Sequence, residues 1–179
     1  MSVEHLETER LILRRPQPED AADVFKRYAS DRQVTKYLGW ATHRTIEDTR
    51  TFLALCNDEW NRWPAGAYII ESRENGRLLG SAGFGFETPR QAVTGYVLAR
   101  DAWGQGYATE ALTELVRVAG RLGVMRLYAL CHPEHKASAH VLEKCGFLRE
   151  GILHGYSPFP NLTPGRRGNV VCYGMAFRR

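Results

Sequence analysis

The clearest hydrophobic pattern of this chain is an apolar strand that passes through a glycine turn into an amphipathic helix. β-rich residues 93–98 precede Gly104 and Gly106, and apolar side chains then recur at helical spacing. The pattern predicts a strand, a glycine loop and a helix over residues 92–122. The predicted inward face of this helix is Ala108, Ala111, Leu112, Leu115, Val116 and Ala119.

Other elements follow from similar local patterns. Thr45 and Asp48 are typical of a capping box at a helix start, and Phe52, Leu53 and Leu55 are predicted to form the apolar side of that helix. The pair Asn75-Gly76 predicts a hairpin, since both residues tolerate positive φ. The remaining predictions are a strand at 11–13, a helix from 18 to 28, a loop at 35–40, and strands at 67–71, 78–86, 92–99, 126–131, near 153 and at 170–177.

Residues 126–131 form a nearly continuous apolar run. Such a run is typical of a strand that is buried on both faces and lies parallel to its neighbour through a helix crossover. The helix that follows is predicted to pack Ala137, Val141 and Cys145 inward and to end at Gly146. The sequence contains no linker or repeat, so we expect one α+β domain over residues 1–179, with a mixed, mostly antiparallel sheet flanked by helices.

Composition narrows the class of protein further. The chain has 179 residues, 44% of them hydrophobic and 25% charged, which indicates a folded globular protein rather than a disordered one. The net charge of +4 is only mildly basic, and no Lys/Arg run exceeds two residues, so nucleic-acid binding is disfavoured. With no apolar leader, no membrane-length apolar window and no Cys-x-x-Cys spacing, we expect a cytoplasmic protein with reduced thiols and no membrane partner.

The glycine turn suggests a chemical role. A helix N-terminus presents unpaired N–H groups, and Gly104 and Gly106 let a phosphate approach the backbone closely. The alternative is a tight strand-to-helix turn that binds nothing. A Walker loop requires Gly-Lys-Ser or Gly-Lys-Thr, which is absent, and a dinucleotide fingerprint requires a glycine or alanine where Thr109 stands.

Residues 95–98 and 103–111 together resemble the acetyl-coenzyme A loop of the GNAT N-acetyltransferase superfamily. The superfamily pattern is Arg or Gln, two residues, Gly, one residue, then Gly or Ala. Gly106 and Ala108 match it, while Trp103 replaces the Arg or Gln. Tryptophan is usual there in the branch that contains the ribosomal-protein alanine N-acetyltransferases, so the chain resembles that branch most.

Two further segments carry the same resemblance. Residues 132–138 and 141–147 are similar to the second signature of that branch, with His135 in place of its Asn. Residues 7–14 resemble its first strand, so the likeness spans nearly the whole chain. It implies the GNAT acyl-CoA N-acyltransferase fold, with the pyrophosphate loop between the fourth strand and the third helix, and transfer of an acetyl group from acetyl-CoA to a primary amine.

The resemblance also implies where acetyl-CoA binds. It places the pantetheine arm along the strand at Val97 and Leu98, where a backbone N–H would donate to the oxyanion, and the pyrophosphate in the glycine loop. The predicted cofactor-binding residues are Val97, Leu98, Trp103, Gly104, Gln105, Gly106, Tyr107, Ala108, Thr109, His135 and Ser138.

The catalytic groups are less clearly marked. The family's usual tyrosine acid falls on Leu142, and the branch's substitute is Ser138, which we predict as the acid; the alternative is that it only supports the first turn of its helix. The usual glutamate base falls on Val93, so the base is not identified. His135 either bonds the cofactor or is a solvated residue at the helix start, and His132 is either catalytic or structural.

The acceptor is predicted from acid–base energetics. Deprotonating a lysine of pKa about 10.4 at pH 7 costs roughly 4.6 kcal/mol, whereas an α-amine near 7.8 costs about 1.1 kcal/mol. Without a visible base, a protein or peptide N-terminus, or a small amine of low pKa, is favoured. The resemblance also implies an acceptor wall, since the family places the corresponding segments there. The candidate residues are Tyr37, Trp40, Phe159 and Asn161, and the alternative is ordinary core and loop packing.

The sequence also allows a function without catalysis. Because the usual base and acid are both missing, the rival function is a non-catalytic acyl-CoA-binding sensor or interaction module. Cys131, His132 and His135 lack a fourth ligand at recognisable spacing, so no metal is expected. A homodimer is one assembly compatible with the resemblance.

Overall fold

The computed structural model describes residues 3–177, which fold into eight strands and four α-helices around one sheet. A 3-10 turn at Pro18–Asp20 leads into the first helix, and a π-helical turn at Phe25–Ala29 extends it, which confirms the helix predicted from 18 to 28. The strands are β1 (His5–Glu7), β2 (Leu11–Arg14), β3 (Ala67–Ser72), β4 (Leu78–Thr88), β5 (Gln91–Leu98), β6 (Arg126–Cys131), β7 (Leu148–Pro158) and β8 (Arg167–Ala176). The helices are α1 (Ala21–Val24), α2 (Ile46–Arg62), α3 (Tyr107–Arg121) and α4 (Lys136–Lys144).

The sheet has the order β1-β2-β3-β4-β5-β6-β8-β7. All neighbouring strands are antiparallel except β5 and β6. These two run parallel because the crossover through α3 returns the chain to the same end of the sheet. The predicted mixed, mostly antiparallel sheet is therefore confirmed. The short strand β1 was not predicted, because only Leu6 of its three residues is buried; the glycine loop consequently follows the fifth strand rather than the fourth.

The core beside α3 largely matches the predicted helix face. Ala111, Leu112, Leu115 and Ala119 are buried, and Val118 joins them, while Ala108 and Val116 are only partly buried. Strand β6 departs from the prediction of two buried faces, because its residues alternate between buried and half-buried. Its less covered face carries Arg126 and Tyr128, which bond Glu150 and Glu87.

Two side chains lie on the opposite side of their helices from the one predicted. Leu55 is 60% exposed, because α2 packs with Thr49, Leu53, Cys56 and Trp60 instead. Ala137 of α4 is exposed, since Leu142 is the fully buried residue and a separation of five residues is about 140° of helix rotation. Val141 and Cys145 are half-buried and pack on the core, as predicted.

The predicted capping box and the predicted hairpin both form. Thr45 Oγ1 accepts a hydrogen bond from the Asp48 N–H, and Asp48 accepts one from the Thr45 N–H, which is the predicted capping box. The hairpin forms between β3 and β4, but only Gly76 has positive φ, at 69°, and Asn75 does not. None of the helices between residues 3 and 177 has the length and apolar character that a membrane span requires.

Candidate active site

The centre of the candidate site is an opening where β5 and β6 separate. The two strands pair only from Gln91–Arg126 to Val93–Tyr128, although β5 continues to Leu98 and β6 to Cys131. On its other edge β5 stays paired with β4 as far as Leu98. Within the described residues 3–177, one backbone edge of β5 therefore has no strand partner over residues 94–98.

The alternation of the strand decides which backbone groups face this opening. The Ala99 N–H donates to Leu79 O at 2.8 Å, so residue 99 faces β4. Since successive residues alternate, Leu98 and Tyr96 face the opening, whereas Val97 faces β4 opposite Ser81. Of the two residues predicted to lie along the pantetheine arm, Leu98 thus presents its N–H to the opening.

The predicted Trp103 lies against the same edge. Its indole Nε1 donates to Leu98 O at 2.8 Å, and the residue is 47% exposed. The indole therefore satisfies the Leu98 carbonyl. Among the described residues, the Leu98 N–H stays available as a hydrogen-bond donor to the opening. A tryptophan in place of the usual Arg or Gln thus has a structural role at the mouth of the opening.

The glycine loop leads from this edge to the N-terminus of α3. Gly104 and Gly106 have φ of 72° and 81°, which L side chains adopt only with strain. Gly106 is the N-cap residue, and no side chain from the described part of the chain caps the helix. The N–H groups of Tyr107, Ala108 and Thr109 therefore lack helical partners and form a site suited to an anion.

A clamp from the turn between β1 and β2 holds this helix end, and sequence reasoning missed it. Glu110 accepts hydrogen bonds from Thr8 Oγ1 at 2.6 Å, Arg10 N at 2.8 Å and Arg10 Nε at 2.7 Å. Arg10 Nη1 also donates to Gln105 O at 2.9 Å, and its guanidinium lies over the Tyr107 ring. Burial alone would raise the pKa of Glu110, but these hydrogen bonds outweigh it and lower the pKa below its usual range.

The side chain of Gln105 does not point freely to solvent. Its Nε2 donates to Asp101 O at 2.7 Å, which closes the loop on itself. Asp101 is in turn paired with Arg27 and Arg77. If Gln105 contributes to a pyrophosphate cradle, as predicted, it therefore does so through its backbone and not its side chain.

The predicted acid Ser138 lies on α4, next to the opening. Its Oγ is 2.9 Å from Tyr96 Oη, and Tyr96 Oη is also 2.9 Å from Ser138 O. Within residues 3–177 the Ser138 hydroxyl is bonded to this phenol and to no backbone group of its own helix. Burial raises the pKa of Tyr96, so the phenol is protonated at neutral pH.

His132 and His135 flank Tyr37 in a three-ring stack. The Tyr37 ring centroid lies 4.8 Å from that of His132 and 4.7 Å from that of His135. Burial lowers the pKa of both imidazoles, and the charge of Lys36 lowers it further, so both are neutral at pH 7. His132 Nδ1 accepts from the Glu134 N–H at 3.2 Å, so the lone pair that a base needs is already used. The ring nitrogens of His135 have no partner among the described residues.

The predicted acceptor-wall residues lie on loops that the structure brings together. Phe159 is buried, with its ring edge-on to His132 at 4.7 Å. Asn161 Oδ1 accepts from Thr42 N and Oγ1, and its Nδ2 donates to Thr35 O and Trp40 O. Asn161 therefore joins two loops, and its side chain is not free to bind an acceptor. Trp40 packs against His43 and Phe52.

The positions of the usual family acid and base are apolar in the structure as well. Leu142 is 1% exposed in the core, and Val93 is half-buried in β5. Across residues 3–177, no three His, Cys, Asp or Glu side chains gather as a metal site.

The fold and this opening define an acetyltransferase. A family model described as an acetyltransferase (GNAT) domain matches residues 10–148. The chain therefore belongs to the GNAT acetyltransferase family, and the predicted fold and enzyme class are confirmed. The alternative of a non-catalytic acyl-CoA-binding module is therefore not favoured.

Similar proteins agree with this assignment. The uncharacterized N-acetyltransferase p20 of Bacillus licheniformis is 34% identical over 179 residues, which cover 98% of each chain. A GNAT-family acetyltransferase from Bacillus anthracis has a TM-score of 0.82 and 26% identity, covering 96% of this chain and 98% of its own. RimL, a ribosomal L7/L12 alpha-N-protein acetyltransferase in complex with coenzyme A, has a TM-score of 0.85 at 21% identity, covering 97% of this chain and 98% of its own, and shows the fold alone.

Proposed function

We propose that this acetyltransferase moves the acetyl group of acetyl-CoA to the α-amine of a protein or peptide N-terminus, or to a small amine of low pKa. The observation that carries the proposal is the continuous surface formed by the open edge of β5 and the uncapped N-terminus of α3. This surface offers hydrogen-bond donors for an extended arm at one end and for a pyrophosphate at the other.

Each part of this surface has a chemical task. The free N–H groups at Tyr107, Ala108 and Thr109 would bind the pyrophosphate, with Gly104 and Gly106 leaving room for it. The Leu98 N–H would donate to the carbonyl oxygen as it gains negative charge. The free ring nitrogens of His135 support its predicted contact with the bound donor. Ser138 would supply a proton to the departing sulfur.

The acceptor follows from the groups around the opening. Tyr37, His132, His135 and Phe159 form a cluster of stacked and edge-on rings, and its two imidazoles are neutral at pH 7 because burial lowers their pKa. Such a cluster supports the entry of an amine that is already close to neutral. The deprotonation cost of about 1.1 kcal/mol for an α-amine, against roughly 4.6 kcal/mol for lysine, favours the former. RimL, which has a similar fold, is an alpha-N-protein acetyltransferase, and this supports the same choice of acceptor.

Matched peptides test the acceptor. The protein would be incubated with acetyl-labelled acetyl-CoA and three peptides: one with a free N-terminus and no lysine, one with a blocked N-terminus and one lysine, and one with neither amine. We expect label on the first peptide only, located by mass spectrometry. Label on the lysine peptide alone would contradict the pKa argument, and label on neither peptide, nor on any of a panel of small amines, would contradict transfer to amines of low pKa.

Three broader expectations remain proposals. We propose one domain over residues 1–179, a cytoplasmic location, and action without a metal or a nucleic-acid or membrane partner. A homodimer is compatible with the chain, and sedimentation analysis would measure the assembly directly.

A further inference from the structure

A phenol and an aliphatic alcohol meet beside the opening, and they differ greatly as acids. Tyr96 reaches from the open stretch of β5 to α4, where its Oη lies 2.9 Å from both Ser138 Oγ and Ser138 O. A tyrosine has an ordinary pKa near 10 and a thiol one near 8.5. An aliphatic hydroxyl is a far weaker acid than either, so Ser138 cannot by itself leave a stable alkoxide after giving up its proton.

We propose that Tyr96 supplies the proton that Ser138 passes to the departing thiolate, so that the two residues act as one relay; this rests on the proposed function. The amine nitrogen forms a bond to the thioester carbonyl carbon, and the C–S bond breaks with its electron pair on sulfur. Sulfur takes the Ser138 hydroxyl proton while Ser138 Oγ takes the Tyr96 proton. The new amide nitrogen releases one proton to solvent, and the Tyr96 phenolate regains one, so the protons balance.

The geometry allows this transfer with little movement. At rest Tyr96 Oη donates to Ser138 O and accepts from the Ser138 hydroxyl. Because both acceptors lie at 2.9 Å, rotation of the phenol O–H alone redirects its proton to Ser138 Oγ. That rotation frees the serine proton for a group in the opening. Ser138 thus passes a proton from the fixed Tyr96 ring to the reacting sulfur.

The surroundings keep the phenol ready for this role. Tyr96 is half-buried and packs on the main core, which fixes the direction of its ring. Burial raises the pKa of Tyr96 and outweighs the hydrogen bond with Ser138, which lowers it, so the proton is present at neutral pH. A thiolate formed in the same desolvated place becomes a stronger base for the same physical reason, which reduces the mismatch between donor and acceptor.

A matched tyrosine separates proton delivery from simple anchoring of α4. Tyr173 on β8 also bonds α4, because its Oη donates to Glu143 Oε1 at 3.2 Å, but that bond lies outside the relay. Tyr96→Phe and Tyr173→Phe each remove one hydroxyl that bonds α4, with the loss of two hydrogen bonds in the first variant and one in the second. Single-turnover acetyl transfer to the free-N-terminus peptide, the affinity for coenzyme A and the melting temperature would be measured for both.

We expect Tyr96→Phe to slow single-turnover transfer about 10²-fold, with coenzyme A affinity within twofold of the unsubstituted protein. Tyr173→Phe should stay within about threefold in both, since its loss resembles that of an ordinary hydrogen bond. Ser138→Ala and the double variant with Tyr96→Phe should be about as slow as Tyr96→Phe alone, because residues that act as a unit are not additive.

The failures are distinguishable. Equal slowing in Tyr96→Phe and Tyr173→Phe, or a double variant whose loss is the product of the single losses, would overturn the relay while leaving acetyl transfer intact. No transfer by the unsubstituted protein to any amine would remove the proposed function, and the relay with it.

Discussion

Substitution of Gly106 by valine tests the glycine loop most directly. Gly106 has φ of 81°, and an added Cβ would lie 3.4 Å from Arg10 Nη2, at the entrance to the α3 N-terminus. A left-handed conformation costs an L residue about 1–2 kcal/mol, and a β-branched residue more. We therefore expect lower stability together with an obstructed anion site.

Gly123 provides the matched control at the opposite end of α3. Its φ is 76°, and an added Cβ would meet nothing within 4 Å. Gly123→Val therefore carries a similar backbone cost without touching the loop. A difference in ligand binding between the two variants isolates the effect at the proposed phosphate site from the effect on stability.

The expected loss of affinity can be estimated from single hydrogen bonds. A bond between a backbone N–H and a charged group is worth about 1.5–3 kcal/mol, so losing one weakens binding by roughly 10- to 150-fold. Calorimetry with coenzyme A should show this loss for Gly106→Val and not for Gly123→Val. Pantetheine, which lacks the pyrophosphate, should bind both variants equally. The cradle would be refuted by equal coenzyme A affinity of the two variants, or by an equal loss for pantetheine.

Three more predictions follow from the site. Glu110→Gln should lower the free energy of unfolding by about 1–3 kcal/mol at pH 7. The pKa of Glu110 is lower in the folded protein than in the unfolded chain, so the stability that its carboxylate contributes is lost as the pH falls below about 4.3. Denaturant titrations should therefore show the difference in unfolding free energy between the two proteins shrinking below that pH. A constant difference would argue against the clamp. Asn161→Ala should lower the free energy of unfolding by about 1–3 kcal/mol, and should lower kcat/KM for the peptide while leaving coenzyme A affinity unchanged. Unchanged peptide kinetics would show that the two loops joined by Asn161 do not contact the acceptor. Burial raises the pKa of Cys131, so mass spectrometry should show slow native alkylation at pH 8, and rapid labelling would contradict that environment.

Local sequence patterns determined the features that depend on a few neighbouring residues. The capping box of Thr45 and Asp48, the turn at Gly76 and the glycine loop before α3 were all predictable, because each follows from backbone needs within four residues. The parallel crossover was predictable too, since a helix between two strands permits it. Helix faces were less certain: Leu55 and Ala137 fit an apolar stripe by spacing, but the packing partner selects which stripe is buried.

The catalytic surroundings depended on the tertiary structure, because their partners are far apart in the chain. Glu110 meets Thr8 across 102 residues, Ser138 meets Tyr96 across 42, and Asn161 meets Thr42 across 119. No spacing rule connects such pairs. The divergence of β5 from β6 is equally invisible in the sequence, because each strand keeps its apolar pattern after the pairing ends. The glycine loop before α3 could therefore be located from the sequence, whereas the groups that hold it and the partner of Ser138 required the folded chain.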